Sequence, residues 1–297
     1  MSEQDTVRGG GGDLTTIYKS ESGAAKVRRR YEELLAEWPV PAEHLRVPTR
    51  EGETFVVASG PKGAPPLVLL HGSGAKTSMW RGEVASWATH FRVYAVDIIG
   101  EPGASAPSRP PLDSDRIALW FDDVLEGLGL STISVAAASL GGWVALDYAI
   151  RRSGRITRLA LLCPAGIGAQ KFGFLPKALF LRLFGHRGVR HTARLVTGLD
   201  MPLAAPVLDD VVLTFTQYKP RTERLPVFSG DALRGLTMPM LVIVGARDVM
   251  LDSAATAERV RGCVPNATVH VLPDVGHAIL GQSDPVLIFL RDGQPTR

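Results

Sequence analysis

Eight short apolar runs punctuate the chain: LRVPT (45–49), ETFVVAS (53–59), PLVLLHG (66–72), FRVYAVDI (91–98), TISVAAAS (132–139), TRLALLCP (157–164), MPMLVIVGA (238–246) and ATVHVLP (267–273). Each is too short for a core helix and rich in Val, Ile, Leu or Ala, the pattern of a strand buried on both faces. From PLVLLHG onward they alternate with helix-like stretches at 77–89, 115–128, 140–152 and 252–262. That alternation predicts an α/β fold with a mostly parallel sheet of eight strands covered by helices on both faces. The first two strands are joined by the tight REGE turn (50–53), so an antiparallel edge is expected there. A further helix is predicted from Ser22 to a stop before Pro39.

Residues 168–235 break the alternation and read as a helical insertion after the sixth strand, placing the sheet domain at 21–167 and 236–291. The insertion holds ten basic and five acidic residues. Its stretch FGFLPKALFLRLF (172–184) carries four phenylalanines and four leucines, interrupted by Lys177 and Arg182. A helix packed on the sheet domain is the plain expectation. A sharper one has Phe172, Phe174 and Phe180 lining an apolar substrate pocket, and contact with a membrane surface is a third. Residues 1–20 are expected to be flexible, because the run Gly9–Gly12 holds no fixed backbone cheaply.

The chemistry is concentrated where strands end. VAAASLGGWV (135–144) runs an apolar strand into Ser139 and then into Gly141 and Gly142. A turn from strand to helix tight enough to expose one side chain strains that residue and crowds the positions two away, which here are Ala137 and Gly141. This is the small-x-Ser-x-Gly pattern of a nucleophile elbow, with Ala in place of the first Gly. The Leu140 backbone N–H would face an oxyanion formed on Ser139. HGSG (71–74) follows another buried strand and offers the Ser73 N–H as a second donor, with His71 expected to anchor the loop. A serine hydroxyl needs a base, and the base needs an acceptor. GARD and GH place Asp248 and His277 after the last two strands.

HGSG, DIIGEPGAS (97–105), AASLGG, GARD and GH, in this order, resemble the α/β-hydrolase-fold serine hydrolases over residues of about 45 to 291. The resemblance implies Ser139 as nucleophile, Asp248 as acid, His277 as base, a helical lid at 168–235 and no cofactor. The sequence departs from the family at Ala137, where Gly is usual, and at Ala138, where His or a polar residue is frequent. A nucleophile position holding Ser rather than Asp argues against the related haloalkane dehalogenases and epoxide hydrolases.

Rival acids are weaker. Asp252 precedes SAATAERV and reads as a helix cap, Asp274 reads as a solvated turn residue, and the alternative acid position after the sixth strand is Cys163-Pro164. Gly74, Trp80 and Trp143 are further candidate pocket walls, although both tryptophans also fit a core. The expected activity is hydrolysis of an ester or related acyl bond in a hydrophobic small molecule. Hydrolysis of a carbon–carbon bond, acyl transfer or cyclisation, and small-molecule binding without turnover stay open. A net charge of +3 spread along 297 residues gives no footprint for nucleic acid. No metal-ligand spacing is present, and Cys163 and Cys263 are expected to be free thiols. The amino terminus lacks an apolar signal region, so a cytoplasmic protein without stable membrane association is expected, and a homo-oligomer is compatible with the sequence.

Overall fold

A computed structural model of the protein describes residues 17–200 and 204–292. The chain opens with helix α1 (Glu21–Ala36), capped by the Ser20 side chain accepting from the Gly23 N–H. Strands β1 (Ala42–Val47), β2 (Thr54–Ser59), β3 (Pro66–Leu70) and β4 (Arg92–Val96) follow, with a 3-10 turn (Thr77–Trp80) and helix α2 (Arg81–Trp87) between the last two. Then come α3 (Arg116–Gly127), β5 (Ile133–Ala138), α4 (Leu140–Arg151) and β6 (Ile156–Leu162). Beyond the insertion lie β7 (Met240–Gly245), α9 (Ser253–Cys263), β8 (Ala267–Leu272) and α10 (Ser283–Arg291).

The eight strands form one sheet in the order β1-β2-β4-β3-β5-β6-β7-β8. β2 is antiparallel to both β1 and β4, and the remaining pairs are parallel. After β3 the chain steps outward to β4 and then returns to the other side of β3 as β5. In open α/β sheets the crevice at such a reversal, beyond the carboxyl ends of the strands, is where ligands bind. HGSG and Ser139 follow β3 and β5, so both stand at that crevice.

Alternation along the central strands sends side chains to opposite faces. Val68, Leu70, Val135, Ala137 and Leu161 join α3, α4 and α9 in one core. Leu67, Leu69, Ala136 and Ala138 join Tyr31 of α1, Trp87 of α2 and Leu290 of α10 in the other. Trp80 and Trp143, considered above as pocket walls, are both core residues. Trp80 packs on Trp87, and Trp143 stacks on Phe228 while its indole N–H donates to the Pro226 carbonyl at 2.9 Å. Trp80 and Trp143 are each almost fully buried.

Between β6 and β7 lie α5 (Leu175–Leu181), a 3-10 turn (Arg182–Phe184), α6 (Gly185–Thr197), α7 (Ala205–Gln217) and α8 (Gly230–Arg234). α7 is stitched to the start of the chain: Tyr18 bridges Tyr218, the Lys19 N–H donates to Gln217 O at 2.8 Å, and the Lys219 N–H donates to Ile17 O at 2.9 Å. Residues 17–20, expected to be flexible, are therefore fixed, with Ile17 and Tyr18 buried. The rest of that amino-terminal segment, including the glycine run, lies outside the described residues. α10 was not anticipated from the sequence; it buries Val286 and Leu290 against the second core.

Glu83 is half-buried in the first turn of α2, and desolvation there pushes its carboxyl up to about 7. The folded protein thus holds a proton there that the unfolded chain releases near pH 4.5, so stability from this group falls as pH rises from about 4.5 to 7. Glu83→Gln removes that dependence. Melting curves should show the variant gaining on the wild type at pH 8 and the gain vanishing by about pH 4.

Candidate active site

The turn from β5 into α4 holds Ser139 at φ 49°, a conformation that costs an ordinary residue on the order of 1–3 kcal/mol. What tolerates it is the lack of side chains around it. A Cβ on Gly141 would lie 2.7 Å from His71 O and nearer still to Leu70 O, so the start of α4 packs directly on the end of β3. A Cβ on Gly142 would meet Pro164 at 2.9 Å. The two glycines after the serine are thus a packing requirement, and they bring the elbow against the HGSG loop. A Cβ on Gly72 would approach the Ser139 Cβ at 3.3 Å.

The three side chains widely separated in sequence meet here. His277 Nε2 is 3.0 Å from Ser139 Oγ, and His277 Nδ1 is 2.7 Å from Asp248 Oδ2. Asp248 is held by the N–H groups of Met250 and Leu251, which donate to its Oδ1 at 2.7 and 3.0 Å. Burial opposes ionisation of Asp248, but the His277 hydrogen bond and these amides outweigh it and hold its carboxyl below the usual range. Burial also works against a charged His277. The Asp248 carboxylate, hydrogen-bonded to Nδ1, favours the cation and outweighs that, so the imidazole lies above the usual histidine range. Such an arrangement takes a proton from an alcohol and keeps the resulting imidazolium in place.

The rival assignments find other employment. Asp252 caps α9 by accepting from the Ala255 N–H at 3.1 Å, and Asp274 pairs with Arg247 on the surface. Cys163 sits beside the histidine, its thiol donating to His277 O at 2.8 Å with Nε2 4.0 Å away. Both cysteines are free. His71 is fully buried and accepts from the Ile98 N–H at 3.0 Å through Nε2, while its Nδ1 lies 2.8 Å from Gly72 O. Accepting on one nitrogen leaves the proton on the other, so His71 is a neutral anchor of the loop.

The expected pocket residues divide. Gly74 is at the site, and its missing side chain admits the ring of Phe215 from α7, whose carbons would lie 2.6–3.3 Å from a Cβ there. Sequence reasoning missed Phe215, which sits in an ordinary-looking helix, VVLTFTQ. Phe172 and Phe180 are 43% and 60% exposed. Phe172 lies under the Arg224 guanidinium and Phe180 edge-on to Phe184. Phe174 is half-buried, and α5 buries none of its own residues, so the expected packing of this helix on the sheet domain is not what the structure holds. Among the described residues no cluster of His, Cys, Asp and Glu is arranged to hold a metal ion.

A model of the alpha/beta hydrolase family matches residues 67–289. The chain belongs to that family. Carboxylesterase YbfK of Bacillus subtilis (strain 168) is 32% identical over 87% of this chain and 89% of its own length. An uncharacterized carboxylesterase, nap, of the same organism is 31% identical over 92% and 93%. The crystal structure of carboxylesterase CesB (YbfK) superposes with a TM-score of 0.81 at 30% identity, covering 92% of this chain and 99% of that one. That of the Bacillus subtilis naproxen esterase gives 0.77 at 28% identity, covering 92% and 98%. In this alpha/beta hydrolase no described helix is long and apolar enough to cross a membrane.

Because a methyl at position 141 collides with strand backbone, Gly141→Ala should displace the elbow. A melting temperature lower by several degrees, with loss of reactivity at Ser139, is the expected result of thermal melts and active-site labelling.

Proposed function

We propose that this alpha/beta hydrolase is a serine esterase that cleaves the ester bond of a hydrophobic small molecule through an acyl-enzyme on Ser139. The observation that carries the reading is the continuous relay from Asp248 through His277 to Ser139, at 2.7 and 3.0 Å. His277 takes the Ser139 proton as Oγ attacks the acyl carbon, and returns it to the leaving alcohol. Water, deprotonated by the same imidazole, then releases the acid and restores the serine. Ser73 and Leu140 supply the backbone N–H pair for the oxyanion, each donor worth roughly a hundredfold to a thousandfold in rate. The residues named require no cofactor or metal for these steps.

Similarity to the Bacillus carboxylesterases supports ester chemistry, and the Phe215 ring seated against Gly74 favours an apolar acyl or alcohol group. The helices between β6 and β7 act as a lid over this crevice. A small molecule is the expected partner, and a cytoplasmic location is part of the same reading.

A fluorophosphonate probe should label Ser139, and Ser139→Ala should abolish labelling and lower p-nitrophenyl ester turnover at least about ten-thousandfold. Asp274→Ala should stay within about twofold of wild type. Absence of label on folded protein, or a strong preference for a vinylogous diketone over every ester tested, would overturn the reading.

The pH profile follows from the raised imidazole. The base works only when neutral, so kcat/KM should climb with pH and level off at an apparent pKa above that of an ordinary histidine. Asp248→Asn removes the carboxylate that favours the cation. It should therefore shift that apparent pKa downward while reducing kcat.

A further inference from the structure

The turn that offers the Ser73 N–H is braced by a carboxylate that takes no part in the proton relay. Glu101, in the loop after β4, is fully buried. Its Oε2 accepts from the Gly74 N–H at 2.6 Å, from the Ser73 hydroxyl at 3.3 Å and from the Tyr218 hydroxyl at 2.9 Å. Its other oxygen, Oε1, is buried without a hydrogen bond among the described residues. An acid buried with half its hydrogen-bonding capacity unused is costly to the fold, and its conspicuous return is local geometry.

That geometry bears on the elbow. Gly72 packs against Ser139 on one side of the loop, while Glu101 draws the Gly74 N–H and Ser73 hydroxyl to the other. The Ser73 peptide is fixed between these two anchors. Helix α7 closes the brace from above. Buried Lys76 reaches Asp210 at 3.1 Å and Thr214 at 3.0 Å on α7, Phe215 covers Gly74, and Tyr218 at the end of α7 holds Glu101. Burial and the Glu101 charge push the Tyr218 phenol far above its ordinary range, which keeps it protonated and donating.

We propose that Glu101 is a positioning residue that sets the Ser73 turn for the oxyanion, and that α7 holds Glu101 in place through Tyr218. The proposal rests on the esterase reading above, because the turn matters only if negative charge develops beside Ser139.

The test compares wild type, Glu101→Ala, Glu101→Gln, Tyr218→Phe and Ser139→Ala on a p-nitrophenyl ester. The affinity of an aryl trifluoromethyl ketone, which forms a tetrahedral adduct on the serine, is measured in parallel. Glu101→Ala should lower kcat about 10- to 100-fold with KM within about threefold, since a misaimed donor costs part of what a missing one costs. Its inhibition constant should rise by the same factor as kcat/KM falls, because only transition-state binding is lost. Glu101→Gln, which retains an accepting oxygen, should recover most of that loss, and Tyr218→Phe should fall between. A folded Glu101→Ala enzyme with unchanged inhibitor affinity overturns the proposal. If that variant does not fold, unchanged affinity in Tyr218→Phe does so. Turnover by wild type that disappears in Ser139→Ala shows in the same assay that the esterase reading stands, so the two failures are separable.

Discussion

The structure depends on the close approach of α4 to the end of β3. Backbone meets backbone there because Gly141 has no side chain, and this contact does two things at once. It holds Ser139 in a strained, half-buried position, and it sets the new helix's amino end beside the loop that follows the neighbouring strand. The strain is supportable because β3 and β5 lie in the middle of the sheet, where both cores press on them. A similar turn on an edge strand would relax.

Around that contact the site is assembled from parts of unequal rigidity. Asp248 and His277 come from loops after β7 and β8 and are fixed by hydrogen bonds to backbone and to each other. His71 is a neutral, buried tie between the HGSG loop and the segment after β4. Cys163 occupies the place after β6 and ties its thiol to the His277 carbonyl. Between β6 and β7 the chain inserts the helices α5 to α8.

Those helices divide into two kinds. α7 belongs mechanically to the sheet domain, through Tyr18, Lys19, Lys76 and Tyr218. α5 and the 3-10 turn after it leave Leu179, Phe180, Leu183 and Phe184 in solvent.

Much of this was legible in the sequence because it is local. Eight apolar runs marked the eight strands, and the glycines and the small residue flanking Ser139 marked the elbow, since a tight turn excludes side chains whatever surrounds it. The order of Ser139, Asp248 and His277, after β5, β7 and β8, followed from the same pattern. Contacts between distant segments were not legible, because hydrophobicity tells that a side chain is buried and not against what. Trp80 and Trp143 could not be divided between core and crevice, Phe215 gave no sign that it would cover Gly74, and residues 17–20 gave none that they would pair with the end of α7. Glu101 stood in a quoted motif, DIIGEPGAS, as one more charge in a loop. Only the folded chain, which buries that carboxylate beneath the Ser73 turn, decided what it holds.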